Sequence, residues 1–228
     1  MTKKIFRVLA FFLLGLGGGL ASQFLFPYIF KTSLVSIVRK EEVRIEENTA
    51  LQNAVDKMGN TIVGIKTKLG TGSLIQGTGL ILSSDGLILT LADLIPQGNI
   101  FSIFLNDKEE TRYQVLKRDF KNNLALIKIE EKDLPSAPFA DFEKIKLGER
   151  VFLIGAVFDK GKLTKEVNEG VIKGITDSYL KTNMQESYLL EGSPLFNIEG
   201  KLLGLNYINE KGMVLSIPVS KIREFTGF

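Results

Sequence analysis

A hairpin pattern within residues 77–95 places the strongest constraint on how this chain can fold. Two short apolar runs, residues 80–82 and 87–89, flank a Ser-Ser-Asp-Gly sequence that ends at Gly86. An Asp-Gly pair between two such runs favours a tight turn joining antiparallel strands. The pattern therefore predicts a β-hairpin whose second strand ends near Thr90.

Other short apolar segments, separated by polar or glycine-containing turns, continue this strand pattern along the chain. Polar composition predicts a loop at residues 70–77, a turn at 106–110 and an irregular crossover at 134–146. Regularly spaced short strands are typical of an all-β barrel or sandwich. The predicted strands are residues 61–66, 100–105, 111–116, 124–129, 150–155, 169–175, 187–190, 201–207 and 213–218.

Composition excludes several classes of function. The chain has no cysteine, which rules out disulfides, thiol nucleophiles and thiolate metal sites, and we predict no cofactor. Residues 1–40 hold six of the 29 basic residues and none of the 26 acidic ones, so the remainder is mildly acidic. A nucleic-acid partner is not expected, because it would require a concentrated basic face.

Residues 8–30 contain no charged side chain and predict a membrane-spanning helix. At about 1.5 Å per residue, a helix of this length crosses a hydrocarbon core of about 30 Å. A cleaved signal peptide is the alternative, because small residues at 20–22 follow a basic start, although the apolar run continues past them. The basic residues on the two sides balance, so their number does not fix the orientation.

A short helix is predicted from Asn48 or Thr49 to Lys57, with Gly59 as its stop. The expected organisation is a tail, a membrane helix, a linker with this short helix, and a β domain. Their respective bounds are residues 1–7, 8–30, 31–58 and 59–228.

Four segments downstream of the hairpin, together with the hairpin itself, resemble the HtrA/Deg branch of trypsin-like serine proteases. They lie in the same order and at similar spacing, and the resemblance runs from about residue 49 to 223. It implies a trypsin-like double six-stranded β-barrel, with barrels at 59–133 and 134–228. The segments are Asn123-Leu-Ala-Leu-Ile-Lys-Ile129, residues 148–155, residues 191–206 and Met213-Val-Leu-Ser-Ile-Pro218.

The same resemblance implies that all three catalytic positions are changed. Asp93 stands at the histidine position, Asn123 at the aspartate position and Glu191 at the serine position, and the chain contains no histidine. A serine triad needs a hydroxyl nucleophile, an imidazole base and an orienting carboxylate. Leu189 stands where the resemblance places a glycine of the oxyanion hole, and leucine resists the positive φ angles that glycine allows.

Two alternative chemistries remain open for these residues. Ser193 is a candidate nucleophile with a lysine as base, or else a structural serine in a turn. Asp93 and Glu191, with the amide oxygen of Asn123, form a candidate cluster for a weak Ca²⁺ or Mg²⁺ site. The contrasting interpretation is that each carboxylate is solvated or paired with a lysine.

The expected function is that of a membrane-anchored, non-catalytic homologue of HtrA-like proteases. The resemblance places its β domain on the extracytoplasmic side of the membrane, in a scaffolding, regulatory or protein-binding role. The chain ends about ten residues after the last predicted strand, so no PDZ domain is expected. The alternatives are a serine endopeptidase with a rearranged active site and a purely structural envelope protein.

The predicted partners follow from the same interpretation. They are the membrane, through residues 8–30, and either an active protease paralogue or an unfolded, extended peptide added along a strand edge. The resemblance also implies self-assembly, with a trimer as the expected form.

Overall fold

The computed structural model describes residue 5 and residues 49–228 except 107 and 111. The chain divides into two compact units, Met1–Thr49 and Ala50–Phe228, and the second contains the β domain. The predicted tail, membrane helix and linker at residues 1–48 lie outside the described residues, apart from residue 5. Within the described residues, no helix has the length and apolar character needed to cross a bilayer.

The described part of the first helix, α1, covers residues 49–59 and confirms the short helix predicted there. It ends two residues beyond the predicted Lys57. The carbonyl oxygen of Met58 accepts hydrogen bonds from both the N–H and the hydroxyl of Thr61, at 2.9 and 2.6 Å. These bonds fix the turn from α1 into the first strand.

Seven strands form the first sheet, in the order β5-β4-β1-β2-β3-β7-β6. The predicted hairpin is confirmed, because Leu80 pairs with Leu89 and Ile81 with Ile88 around Gly86, whose φ is 93°. The strands are β1 (Ile62–Lys68), β2 (Leu74–Ile81), β3 (Leu87–Thr90), β4 (Ile100–Leu105), β5 (Lys108–Glu110), β6 (Tyr113–Asp119) and β7 (Leu124–Ile129).

Six strands close into a barrel in the order β10-β13-β12-β11-β8-β9. Helix α2 (Val219–Thr226) follows the last strand and ends at Gly227, which has the left-handed φ of 82° typical of a helix C-terminus. The strands are β8 (Arg150–Asp159), β9 (Lys162–Ile175), β10 (Leu180–Gln185), β11 (Pro194–Asn197), β12 (Leu202–Ile208) and β13 (Met213–Pro218).

The prediction of two six-stranded barrels is correct only for the second. The first sheet has a seventh strand because residues 108–110, predicted as part of a turn, fold back and pair with β4. The edge strand β6 reaches β4, the second strand from the other edge, because the Tyr113 hydroxyl donates to the Phe101 carbonyl oxygen at 2.7 Å. The rings of Phe101 and Tyr113 lie 4.4 Å apart between centroids.

Several local predictions were wrong, most of them around the second barrel. Residues 187–190 were predicted as a strand but contain a 3₁₀ turn, Tyr188–Leu190, because Leu190 N–H donates to Ser187 O at 3.1 Å. The neighbouring strand is β10, whose LKTNMQ sequence is too polar to predict a strand but alternates between buried and exposed. Strand β11 and helix α2 were not predicted, and residues 74–77 belong to β2 instead of a loop.

Strand β8 lies between the barrel interior and the first sheet, and seven consecutive residues in it are buried. Ala156 N–H in this strand donates to the buried Thr78 hydroxyl of β2 at 2.9 Å. One apolar cluster includes Leu80 from the first sheet and Phe152 and Phe196 from the barrel. The two sheets therefore share a core, and the ends of their strands meet around one cleft.

Candidate functional site

Asp93 and Asn123 are held together by two reciprocal hydrogen bonds. Asp93 N–H donates to Asn123 Oδ1 at 2.9 Å, and Asn123 Nδ2 donates to Asp93 Oδ2 at 2.9 Å. Asp93 lies in the 3₁₀ turn Ala92–Leu94 after β3, and Asn123 immediately precedes β7. Because β3 and β7 pair side by side, with Thr90 opposite Ala125, the two residues are brought to the same edge.

The backbone of Asn123 explains why this residue type suits the position. Its φ is 54°, in the left-handed region that asparagine tolerates better than most residues. Its carbonyl oxygen accepts the N–H of Ala92 at 3.3 Å. The backbone and side chain of Asn123 therefore both fasten the turn that carries Asp93.

Glu191 reaches the same cleft from the barrel, after the 3₁₀ turn Tyr188–Leu190. Its carbonyl oxygen accepts Thr78 N–H at 2.8 Å, which ties this loop to β2. Burial raises the pKa of the Glu191 carboxyl, and the charge of Asp93 raises it further, while the Ile208 N–H acts in the opposite direction. The negative charge of Asp93 thus acts on the Glu191 carboxyl, as a nearby like charge does.

Leu189 lies in the 3₁₀ turn with its side chain about 44% exposed to solvent and lining the cleft. The neighbouring amides point into the turn, because Glu191 N–H donates to Tyr188 O and Ser193 N–H to Leu190 O, both at 3.2 Å. An oxyanion hole requires such amides to face the substrate. The loop instead presents apolar side chains and a carboxylate.

Ser193 is completely buried and does not line the cleft. Its Oγ accepts the side-chain N–H of Asn206 at 3.1 Å, and Asn206 Oδ1 in turn accepts the hydroxyl of Ser216. A buried hydroxyl held in such a network serves as an anchor for the loop. A nucleophile, by contrast, needs an exposed Oγ beside a base.

The cleft that Asp93 and Glu191 share has a volume of about 580 Å³. Leu74 and Tyr188 provide exposed apolar walls, with 71% and 55% of their surfaces accessible. Lys66 lies with its ammonium 3.8 Å from the centre of the Phe158 ring, a cation–π contact. The lining residues are Lys66, Leu74, Ile75, Gln76, Asp93, Leu94, Phe158, Gly161, Tyr188, Leu189 and Glu191.

The structure therefore brings together all three residues predicted at the degenerate triad positions. Sequence analysis missed Lys66, Leu74 and Phe158, because they reach the cleft through the β1–β2 and β8–β9 hairpins and belong to no motif. Within the described residues, no group of three or more carboxylates, histidines or cysteines lies close enough to hold a metal ion. The cation site predicted from two carboxylates and one amide stays a prediction.

The fold and this cleft define a trypsin-like protein, and the sequence comparison agrees. The family profile of the trypsin-like peptidase domain matches residues 77–205, more than half of the chain. The chain belongs to this family.

The curated relatives are HtrA/Deg-type proteases. A probable periplasmic serine endoprotease DegP-like from Pseudomonas putida is 33% identical over 110 residues, covering 45% of this chain and 22% of the relative. The protein of the same name from Halomonas elongata is 30% identical over 125 residues, covering 51% and 26%. That from Rhizobium meliloti is 27% identical over 146 residues, covering 58% and 28%. The chain thus matches about a quarter of the length of these relatives.

Proposed function

We propose that this protein is a non-catalytic member of the trypsin-like family that binds polypeptide in the cell envelope. The observation that carries the proposal is the Asp93–Asn123 pair with its two reciprocal hydrogen bonds, facing the half-buried carboxyl of Glu191. Among the described residues, no serine or threonine lines the cleft, and the chain has no histidine. This arrangement can bind a ligand but lacks the serine and the imidazole between which a serine triad transfers its proton.

A serine endopeptidase with a rearranged site is the second candidate, favoured by the names of the relatives. It would require Ser193 to leave its buried contact with Asn206 and to meet a base. This change breaks the hydrogen bond between Asn206 and Ser193 and leaves a buried polar group without its partner, which costs about 1–3 kcal/mol.

Labelling of the full chain in detergent micelles with a fluorophosphonate probe separates the two candidates. We expect no labelling and no cleavage of unfolded casein, in a sample whose circular dichroism shows folded β structure. An active trypsin-fold protease in the same detergent provides the positive control. Labelling that is lost in Ser193→Ala would establish a serine nucleophile and contradict the proposal.

The cleft supports the binding part of the proposal because it is open, partly apolar and next to paired strands. Leu189 and Tyr188 offer apolar surface at its rim, and an extended peptide presents side chains that can cover them. Removing one leucine contact with a peptide weakens binding about tenfold, since burial of such a side chain contributes about 1.5 kcal/mol or more.

The matched test replaces two leucines of similar exposure. Leu189→Asp should weaken the binding of a fluorescent unfolded casein fragment about tenfold, measured by polarisation. Leu116→Asp is the control, because Leu116 is 46% exposed but lies outside the cleft, while Leu189 is 44% exposed within it. Equal binding by the two variants would show that the peptide does not bind in the cleft.

We also propose that the β domain lies on the extracytoplasmic side of a membrane, anchored through residues 8–30. The periplasmic location in the names of the relatives supports this side. Digestion by a protease added to spheroplasts is expected, and protection of the domain would place it in the cytoplasm.

Light scattering of the purified protein tests the proposed trimer, and a monomer would argue against self-assembly.

A further inference from the structure

A second cavity, which we call the basic cavity, lies where the first sheet, the barrel and α2 meet, and it adjoins the cleft because Asn123 lines it and bonds to Asp93 in the cleft. Its volume is about 350 Å³. Seven of the described residues line this cavity, of which two are lysines and none is acidic, whereas the described lining of the cleft includes two carboxylates and one lysine. The lining residues are Lys121, Asn122, Asn123, Ser178, Tyr207, Ile217 and Lys221.

Lys221 is positioned by a neutral amide. Its ammonium donates to Asn122 Oδ1 at 3.3 Å. Asn122 is itself fixed, because its backbone N–H and its Nδ2 donate to the two oxygens of Asp119 at 3.0 and 2.6 Å. The nearby Asp119 carboxylate is thus occupied by Asn122, and these hydrogen bonds keep its pKa below the usual value.

The charges of both lysines are left uncompensated by direct ion pairs. Across residues 49–228 as described, neither Lys121 nor Lys221 forms a salt bridge with a carboxylate. Lys121 is exposed and Lys221 is half-buried, so they stand at the mouth and the wall of the same cavity. Two ammonium groups with no directly bound carboxylate favour an anion, and the nearest acidic groups that contact the lining, Asp119 and Asp93, are hydrogen-bonded to Asn122 and Asn123.

Two hydroxyl residues complete the lining. Tyr207 is half-buried, and its burial, together with the neighbouring Tyr179, raises the pKa of its phenol, which therefore remains a donor. Ser178 lies in the β9–β10 turn, where Ser178 N–H and Tyr179 N–H donate to the Thr176 hydroxyl at 3.3 and 3.0 Å. The walls of the basic cavity are therefore ordered by hydrogen bonds that do not depend on a ligand.

We propose that the basic cavity binds a phosphate-type oxyanion, held by the ammonium groups of Lys121 and Lys221 with donors from Ser178 and Tyr207. Lysine ammonium groups bind phosphate oxygens through short, charge-assisted hydrogen bonds. The volume accommodates a phosphate monoester as well as inorganic phosphate. None of these four residues lies in the cleft, so the proposal is independent of whether the cleft binds peptide.

The test is isothermal titration of the full chain in detergent micelles at low ionic strength, with inorganic phosphate, glycerol 3-phosphate and acetate as probes. We expect saturable phosphate binding that weakens with added salt. The double variant Lys121→Gln/Lys221→Gln should bind at least about tenfold more weakly, because two charge-assisted hydrogen bonds are removed. Tyr207→Phe, which keeps the ring, should weaken binding by about two- to fivefold.

The control is Lys57→Gln/Lys132→Gln, which removes the same charge from two exposed lysines that line neither cavity. It should bind phosphate as the unchanged protein does. Residues 1–40 are identical in all variants, so their basic residues contribute equally. Thermal unfolding without ligand checks that each variant is folded. Lys121→Gln alone, at an exposed position, is a second variant that keeps the test valid if the double variant does not fold.

Three outcomes would overturn the proposal: no saturable phosphate binding, equal losses in the two double variants, or acetate binding as tight as that of phosphate. Tighter binding of glycerol 3-phosphate than of inorganic phosphate would support an organic monoester as the ligand. The reverse order would support free phosphate.

Discussion

The Asp93 side and the Glu191 side of the cleft are built in different ways. Asp93 and Asn123, both from the first sheet, form a closed polar pair in which each residue donates one hydrogen bond to the other. Glu191, from the barrel, follows an apolar 3₁₀ turn, and its carboxyl is partly desolvated. Both carboxyls line the cleft, but the Asp93 carboxyl is exposed and paired with an amide, while the Glu191 carboxyl is half-buried beside apolar side chains.

This difference shows which parts of a trypsin-like site depend on each other. When two bonded residues of such a site are both replaced, the new residues can still bond to each other, because an amide donates hydrogen bonds that a carboxylate accepts. Asp93 and Asn123 are such a pair. The loop at 188–193 is instead shaped by its attachment to β2 through Thr78 and by the buried Ser193. Packing fixes the backbone of this loop, so what can vary is the identity of the side chains that face the cleft.

The largest expected effect concerns the attachment of this loop. Gly192 has a φ of 76°, and a Cβ there would lie 2.2 Å from the Thr78 carbonyl oxygen. Gly192→Ala should lower the free energy of unfolding by about 3 kcal/mol or more, since backbone strain and overpacking add. Urea denaturation of the full chain measures this loss.

Gly98→Ala is the control for the strain alone, because Gly98 has a φ of 80° and open space where its Cβ would be. It should cost about 1–2 kcal/mol. Similar losses in the two variants would mean that the Glu191 loop is not tightly packed against β2.

The Asp93–Asn123 pair gives the next largest effect. Asn123→Ala removes both reciprocal hydrogen bonds, each contributing about 1 kcal/mol, and places alanine at a φ of 54°. The expected destabilisation is about 2–3 kcal/mol. Asn123→Gly removes the same bonds without the Cβ at positive φ, so it should be less harmful by about 1 kcal/mol. A loss below that of an average surface substitution in both variants would show that the pair contributes nothing.

The smallest expected effect concerns the Glu191 carboxyl. Since burial raises the pKa of Glu191 in the folded protein, folding favours its protonated form. The stabilisation is complete below the unfolded value of 4.5 and is lost as the pH rises through the higher folded value. Glu191→Gln should therefore stabilise the protein at pH 7, by less than about 1 kcal/mol because the group is partly exposed, and lose this advantage in acid.

Glu210→Gln, at an exposed position outside the cleft, is the matched control for the loss of one negative charge. Thermal unfolding between about pH 4 and 7 compares the two variants across the range in which carboxyl groups titrate. A pH profile for Glu191→Gln that runs parallel to that of the unchanged protein would contradict the desolvation of this carboxyl.

Sequence patterns predicted the strands whose apolar residues are both numerous and bounded by turn residues. Strands β4 and β7 were predicted with the bounds observed, and the hairpin around Gly86 was confirmed. Strand β10 escaped prediction because half of its residues face solvent, and residues 188–190 were misassigned because an apolar run does not distinguish a strand from a buried turn. Helix α2 was missed because it spans only eight residues.

The sequence by itself determined the all-β class, the absence of histidine and cysteine, and the identities of Asp93, Asn123 and Glu191 at the three positions that the resemblance marks. Only the tertiary structure decided that Asp93 and Asn123 bond to each other, that Ser193 is buried, and that two lysines without acidic partners share a cavity. These features join residues 13 to 100 positions apart. Strand pairing and a shared core bring such residues together, and neither is encoded in a local pattern.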